Sequence, residues 1–242
     1  MVSENPNSPS GDRGETYQSV VTKGATADLA ESEFIKVSDT GSGRATIILF
    51  DDESFHTLVT ATAESLREGR RILVVKIQAI SGVNWEALHS ALPLFLSDEK
   101  VRQASYICFG AAANLIQNLL LDEPKAVRTL VIVDAPSRPH PSTWDRLVDK
   151  VERFLPLGLP LRLGTAGFNV QAYLHRVRCP LLVVTTPQAG AFLQGDAEGV
   201  ARSAPTAWRI SLTDDELAQG LLSETIVQFQ ETPAKCPQKN VK

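Results

Sequence analysis

Sulfur and histidine are scarce in this chain of 242 residues, which carries three cysteines, one methionine and four histidines. Cys108, Cys179 and Cys236 are an odd number at unrelated spacings, with no Cys-x-x-Cys pair and no Cys/His cluster. Neither a disulfide framework nor a zinc site is signalled, and no cofactor motif is visible. No apolar run approaches the ~18 residues of a membrane span. The opening MVSENPNSPSGDRGE lacks the basic-then-apolar order of a secretory signal and is too acidic for a transit peptide. These absences make a cytoplasmic location the expectation. An excess of positive charge is missing as well. The formal net charge of −4 gives no general attraction to phosphate backbones, which argues against a nucleic-acid partner. No internal repeat is present.

What is there is ordinary for a globular protein: 43% hydrophobic and 21% charged residues, and a length that suits one domain with tails. Residues 1–32 are rich in Ser, Asn, Pro, Gly and acidic groups. They hold too little apolar surface to offset the entropy of ordering and read as a mobile tail. ETPAKCPQKNVK (231–242) reads as a shorter one.

Between the tails, strand-like and helix-like segments alternate. EFIKVS has a period of two, ATIILF is the short apolar run of a strand buried on both faces, and RRILVVKIQ, ASYICF, VRTLVIVDAP, CPLLVVTTP and finally AWRISL read as the further strands. SFHTLVTATAESLREG, NWEALHSALPLFLSDEK (interrupted or ended by Pro93), GAAANLIQNLLLDEP, STWDRLVDKVERFL, NVQAYLHRVR, AEGVARSAP and DDELAQGLLSETIVQF read as helices. The pattern predicts an α/β fold with a doubly wound, mainly parallel sheet, whose ligand sites lie beyond the carboxyl ends of the strands.

SYICFGAAANLIQ, from Ser105 to Gln117, is a buried strand, a small-residue turn and a helix in succession. FIKVSDTGSGRATIILFDD, GAAANLIQNLLLDEPKAVRTLVIVDAP, CPLLVVTTPQA and SETIVQF, in this order and spacing, resemble the α/β-hydrolase superfamily over residues 33–230. The resemblance implies a strand-turn-helix elbow carrying a Ser, Cys or Asp nucleophile, an acid after a late strand and a histidine after the last one. It also implies a lid, which would fall at about 141–175.

At each expected position the chain departs from that pattern. Counting back from Pro124 by the usual length of the elbow helix reaches Gly110, with Ala111, Ala112 and Ala113 as the small residues of close packing. A second register, ICFGA, resembles the Cys elbow of dienelactone-hydrolase-like enzymes and makes Cys108 the nucleophile. The competing reading takes Cys108 as a small buried residue. The acid slot falls at Ala189. Asp196 lies too far on, and Asp134 reads either as an acid from another strand or as a turn former before Pro136. No histidine follows His175, and the turn after the last strand offers Asp214 and Asp215. The slot where the superfamily has His-Gly holds Phe50 and Asp51, a poor setting for an oxyanion.

His56 and His140 fall near the carboxyl edge, where either could pair with Cys108 or be an exposed loop residue. His89 and His175 read as structural or solvent-facing. The expectation is therefore a degenerate member of the superfamily, a pseudoenzyme acting as a structural, regulatory or binding subunit with a protein partner or a small apolar ligand in its vestigial pocket. The alternative is an atypical esterase, thioesterase or lactonase using Cys108, and a non-hydrolytic lyase or isomerase reaction is a third possibility.

Overall fold

The computed structural model describes residues 34–77, 85–136 and 170–231. Both tails, the helix expected after Ser142, most of the lid segment and His140 lie outside the described residues. Seven strands form one sheet: β1 (Phe34–Gly41), β2 (Arg44–Phe50), β3 (Arg70–Ile77), β4 (Ala104–Phe109), β5 (Val127–Val133), β6 (Leu181–Thr185) and β7 (Ala207–Ser211). Their spatial order is β1-β3-β2-β4-β5-β6-β7. Among the described strands only the β1–β3 pair is antiparallel.

Among the described residues six helices accompany the strands: α1 (His56–Ser65), α2 (Trp85–Asp98), α3 (Ala112–Asp122), α4 (Ala191–Ser203), α5 (Asp214–Ala218) and α6 (Leu221–Glu231). The continuous apolar runs of β2 to β6 follow from this layering, because both faces of the sheet are covered. One face packs under α2, α3, α4 and the 3-10 turn Val170–Arg176, through Leu88, Leu92, Leu115, Ile116, Leu174 and Val200. The other packs under α1 and α6, through Val59, Leu66, Leu222, Ile226 and Phe229.

Several boundaries differ from the sequence expectation. The expected DTGSG turn is shorter, because β1 pairs with β3 as far as Gly41. Helix α2 runs through Pro93. The missing N–H removes one helical bond, and the buried Leu88, Leu92 and Leu96 hold the segment on the sheet regardless. Helix α4 starts earlier than AEGVARS, at Ala191. The closing helix is two pieces, separated at Gly220, whose φ of +77° suits glycine.

Candidate functional site

The carboxyl edge of the sheet is where β2, β4, β5, β6 and β7 release their chains, and Asp51, Gly110, Asp134, Ala189, Asp214 and Asp215 follow those strands there. Strand β4 ends at Phe109 and α3 begins at Ala112, so Gly110 and Ala111 make the whole turn. Gly110 has φ +65°, a left-handed conformation that costs an L-residue roughly 1–2 kcal/mol. Its N–H donates to Val133 O at 3.0 Å, and its carbonyl accepts from Ala113 N–H at 3.3 Å. The tip of the turn between β4 and α3 is therefore Gly110.

The space in front of that tip is filled. A Cβ placed on Gly110 would overlap Asp51 Oδ1 and come within 3.2 Å of Asp51 Cγ and 3.0 Å of Phe55 Cε2. Parallel pairing of β2 with β4, with Phe50 opposite Phe109, brings Asp51 to this place. Asp51 Oδ2 accepts the Ala111 N–H at 3.3 Å. The backbone donor that follows the elbow tip, the kind of group that stabilises an oxyanion in acyl transfer, is thus engaged by the chain's own carboxylate. Phe55, whose ring lies 5.7 Å from that of Phe109, closes the same space from the side.

Cys108 lies inside β4, fully buried in the cluster under α2 and α3. Burial pushes its thiol well above the ordinary range, and the Asp51 charge adds to the rise. Both effects oppose the thiolate that nucleophilic attack requires. His56 is the exposed first residue of α1, and its ring meets Phe50 edge-on at 6.4 Å. Phe50 belongs to the cluster on the opposite face of the sheet from Cys108, so the structure does not bring His56 and Cys108 together. His89 pairs with Asp122 at 3.1 Å on α2 and α3, and His175 is exposed at the end of the Val170–Arg176 turn.

Ala189 is buried, and its N–H donates to Thr186 O at 3.0 Å. Asp214 and Asp215 are exposed in the first turn of α5, where they complement the helix dipole. Thr213 caps that turn in a reciprocal box with Glu216.

Asp134 is the buried carboxylate of this edge. It follows β5 with φ +48° and is 6% exposed. Its Oδ1 accepts Thr186 N–H at 2.7 Å and its Oδ2 accepts Thr186 Oγ1 at 2.5 Å, tying β5 to β6. Burial raises its carboxyl above the ordinary value, and the two bonds from Thr186 oppose the rise. Sequence reasoning placed Asp134 but missed Thr186, whose only signal is a hydroxyl at the end of an apolar strand.

Asp52 and Glu53 follow Asp51, with Glu53 bridged to Lys76 at the end of β3. Together with Asp134, Asp214, Asp215 and Glu216 they give this edge an acidic character. Among the described residues, no group of three His, Cys, Asp or Glu side chains could hold a metal ion, and no helix is long and apolar enough to cross a membrane.

No protein-family model and no curated protein matches the sequence. Solved structures do match the fold. A thermophilic esterase from Thermogutta terrifontis superposes with TM-score 0.65 at 16% identity, over 88% of this chain and 98% of that one. The enol-lactonase from Burkholderia xenovorans LB400 gives 0.63 at 13% identity, over 85% and 99%. A hydrolase from Pseudomonas aeruginosa PA01 gives 0.61 at 14%, over 90% and 99%. At these identities the likeness is one of fold: the chain has an α/β-hydrolase-type fold.

Proposed function

We propose that this chain is a non-hydrolytic protein on an α/β-hydrolase-type scaffold, acting as a structural, regulatory or binding subunit. The observation that carries the reading is Asp51, whose carboxylate lies against the side-chain space of Gly110 and accepts the Ala111 N–H. A nucleophile, a free backbone donor and a pocket for an acyl group would all compete for that volume. The missing histidine after β7 and the alanine at position 189 agree with it. The carboxylates of the edge disfavour an anionic occupant. A protein partner or a small apolar ligand resting on this edge fits better.

The test is turnover of activated esters and thioesters by the full chain, alongside Cys108→Ser and His140→Ala. The reading predicts rates equal to the buffer background for all three. Saturable turnover lost in both variants would replace it with the Cys108 hydrolase reading.

A further inference from the structure

The opposite, amino edge of the sheet holds a polar cluster that plays no part in the elbow. On the face covered by α1 and α6, two rows of side chains run across neighbouring strands. The outer row starts with Arg70 on β3 and Arg44 on β2, which are register partners on parallel strands. It continues to Gln103, just before β4, which accepts a hydrogen bond from Arg128 Nη2 of β5 at 3.2 Å. One step further into the sheet, Thr46, Ser105 and Thr129 are register partners across β2, β4 and β5. Each stands two residues before Ile48, Ile107 or Val131 of the α1/α6 cluster, as Arg44 stands two before Thr46 and Arg70 two before Ile72, so all share that face.

Each row contains groups short of partners. Arg70 donates to Gln230 Oε1 of α6 and lies 4.0 Å from the Glu231 carboxylate. Burial is the main influence lowering the Arg70 guanidinium below its ordinary value. Glu231 opposes that, and the like charges of Arg44 and Arg128 add to it. Among the described residues no carboxylate lies within ion-pair distance of Arg44 or Arg128. In the inner row, Thr129 is 3% exposed, and its Oγ1 has no hydrogen-bond partner. Gln230 Nε2 is buried without one as well. An unsatisfied buried polar group costs about 1–3 kcal/mol, and grouped guanidiniums repel one another. A multivalent oxyanion answers both at once, because it accepts several donors and neutralises the charge.

We propose that Arg44, Arg70 and Arg128, with Thr129 and Gln230 beneath them, form a binding site for a phosphate-type dianion at the amino edge of the sheet. The dianion is either free phosphate or the terminal group of a small phosphomonoester. This site does not depend on the reading of the elbow, and the two can fail separately.

The test is calorimetric titration of the full chain with inorganic phosphate and, in a second arm, with glycerol phosphate, each against sodium chloride of matched ionic strength. Thermal midpoints are read in parallel. The expected result is saturable binding and a midpoint raised by roughly 3–5 °C at tenfold excess over Kd. Tighter binding of the ester than of phosphate would identify a metabolite as the ligand, and the reverse would identify the free ion. Arg44→Gln with Arg128→Gln should weaken binding at least tenfold. Thr129→Val, which removes only the hydroxyl, should weaken it several-fold while leaving the unliganded fold intact. The single exposed change Arg44→Gln serves if the double variant does not fold. No saturable heat beyond the chloride control, or equal affinity in wild type and in the Arg44 and Thr129 variants, would overturn the site.

Discussion

At the residue scale the site turns on Gly110 and Asp51. A side chain at position 110 meets a left-handed backbone and the Asp51 carboxylate together, so Gly110→Ser should destabilise the fold by about 2–4 kcal/mol in denaturant titration. Adding Asp51→Ala removes the steric part, and the double variant should be more stable than the sum of the single effects predicts. Strict additivity would show that the two positions do not share that space. Cys108 should resist thiol reagents in the folded state and react at the rate of global unfolding, because its sulfur has no solvent exposure and its thiol is raised by burial. Fast labelling under native conditions would contradict the buried placement.

Asp134 has a pH signature with a definite sign. Its folded carboxyl is raised above the ordinary 3.8, so in that window the folded state holds more protons than the unfolded state. Stability should therefore fall as pH rises from about 3.8 through the raised value. Asp134→Asn keeps an acceptor for the Thr186 N–H and should abolish this component, which shows as a pH-dependent difference between the two proteins' unfolding free energies.

At the scale of elements, the central strands were legible because each is a short apolar run bounded by turn residues, and the turn after β4 was legible because its glycine and alanines are consecutive. The path of α2 through Pro93 was not. Local propensity ends a helix there, whereas burial of Leu88, Leu92 and Leu96 continues it, and only the tertiary structure says which effect is larger. The approach of Asp51 to Ala111 was hidden for a related reason. It depends on β2 and β4 becoming sheet neighbours with Phe50 opposite Phe109, a pairing between segments far apart in the chain. The sequence suggested a carboxylate hostile to an oxyanion, and the structure puts that carboxylate in hydrogen-bond contact with the donor. The break between α5 and α6 belongs to this scale too. Thr213→Ala removes one half of the capping box and should cost about 1 kcal/mol by thermal or denaturant unfolding. A neutral result would mean that packing alone holds α5.

At the scale of the molecule, the sheet has two chemically different edges. The carboxyl edge carries Asp51, Asp52, Glu53, Asp134, Asp214 and Asp215 with Lys76 among them, while the amino edge carries Arg44, Arg70 and Arg128 with Glu231 beside Arg70. A net charge of −4 conceals this division, which explains why composition spoke against phosphate-backbone partners yet could not reveal a local cationic cluster. The fold matches a solved esterase and a solved enol-lactonase in topology, while the proposed non-hydrolytic reading rests on the glycine at position 110 and the Asp51 carboxylate against it. The measurement closest to that claim is peptide-resolved mass spectrometry of the full chain after brief exposure to an activated acyl ester. The account predicts no acyl group on the peptide that contains Cys108 while the protein is folded. A stoichiometric adduct at Cys108, formed before any surface lysine reacts and lost in His140→Ala, would contradict it.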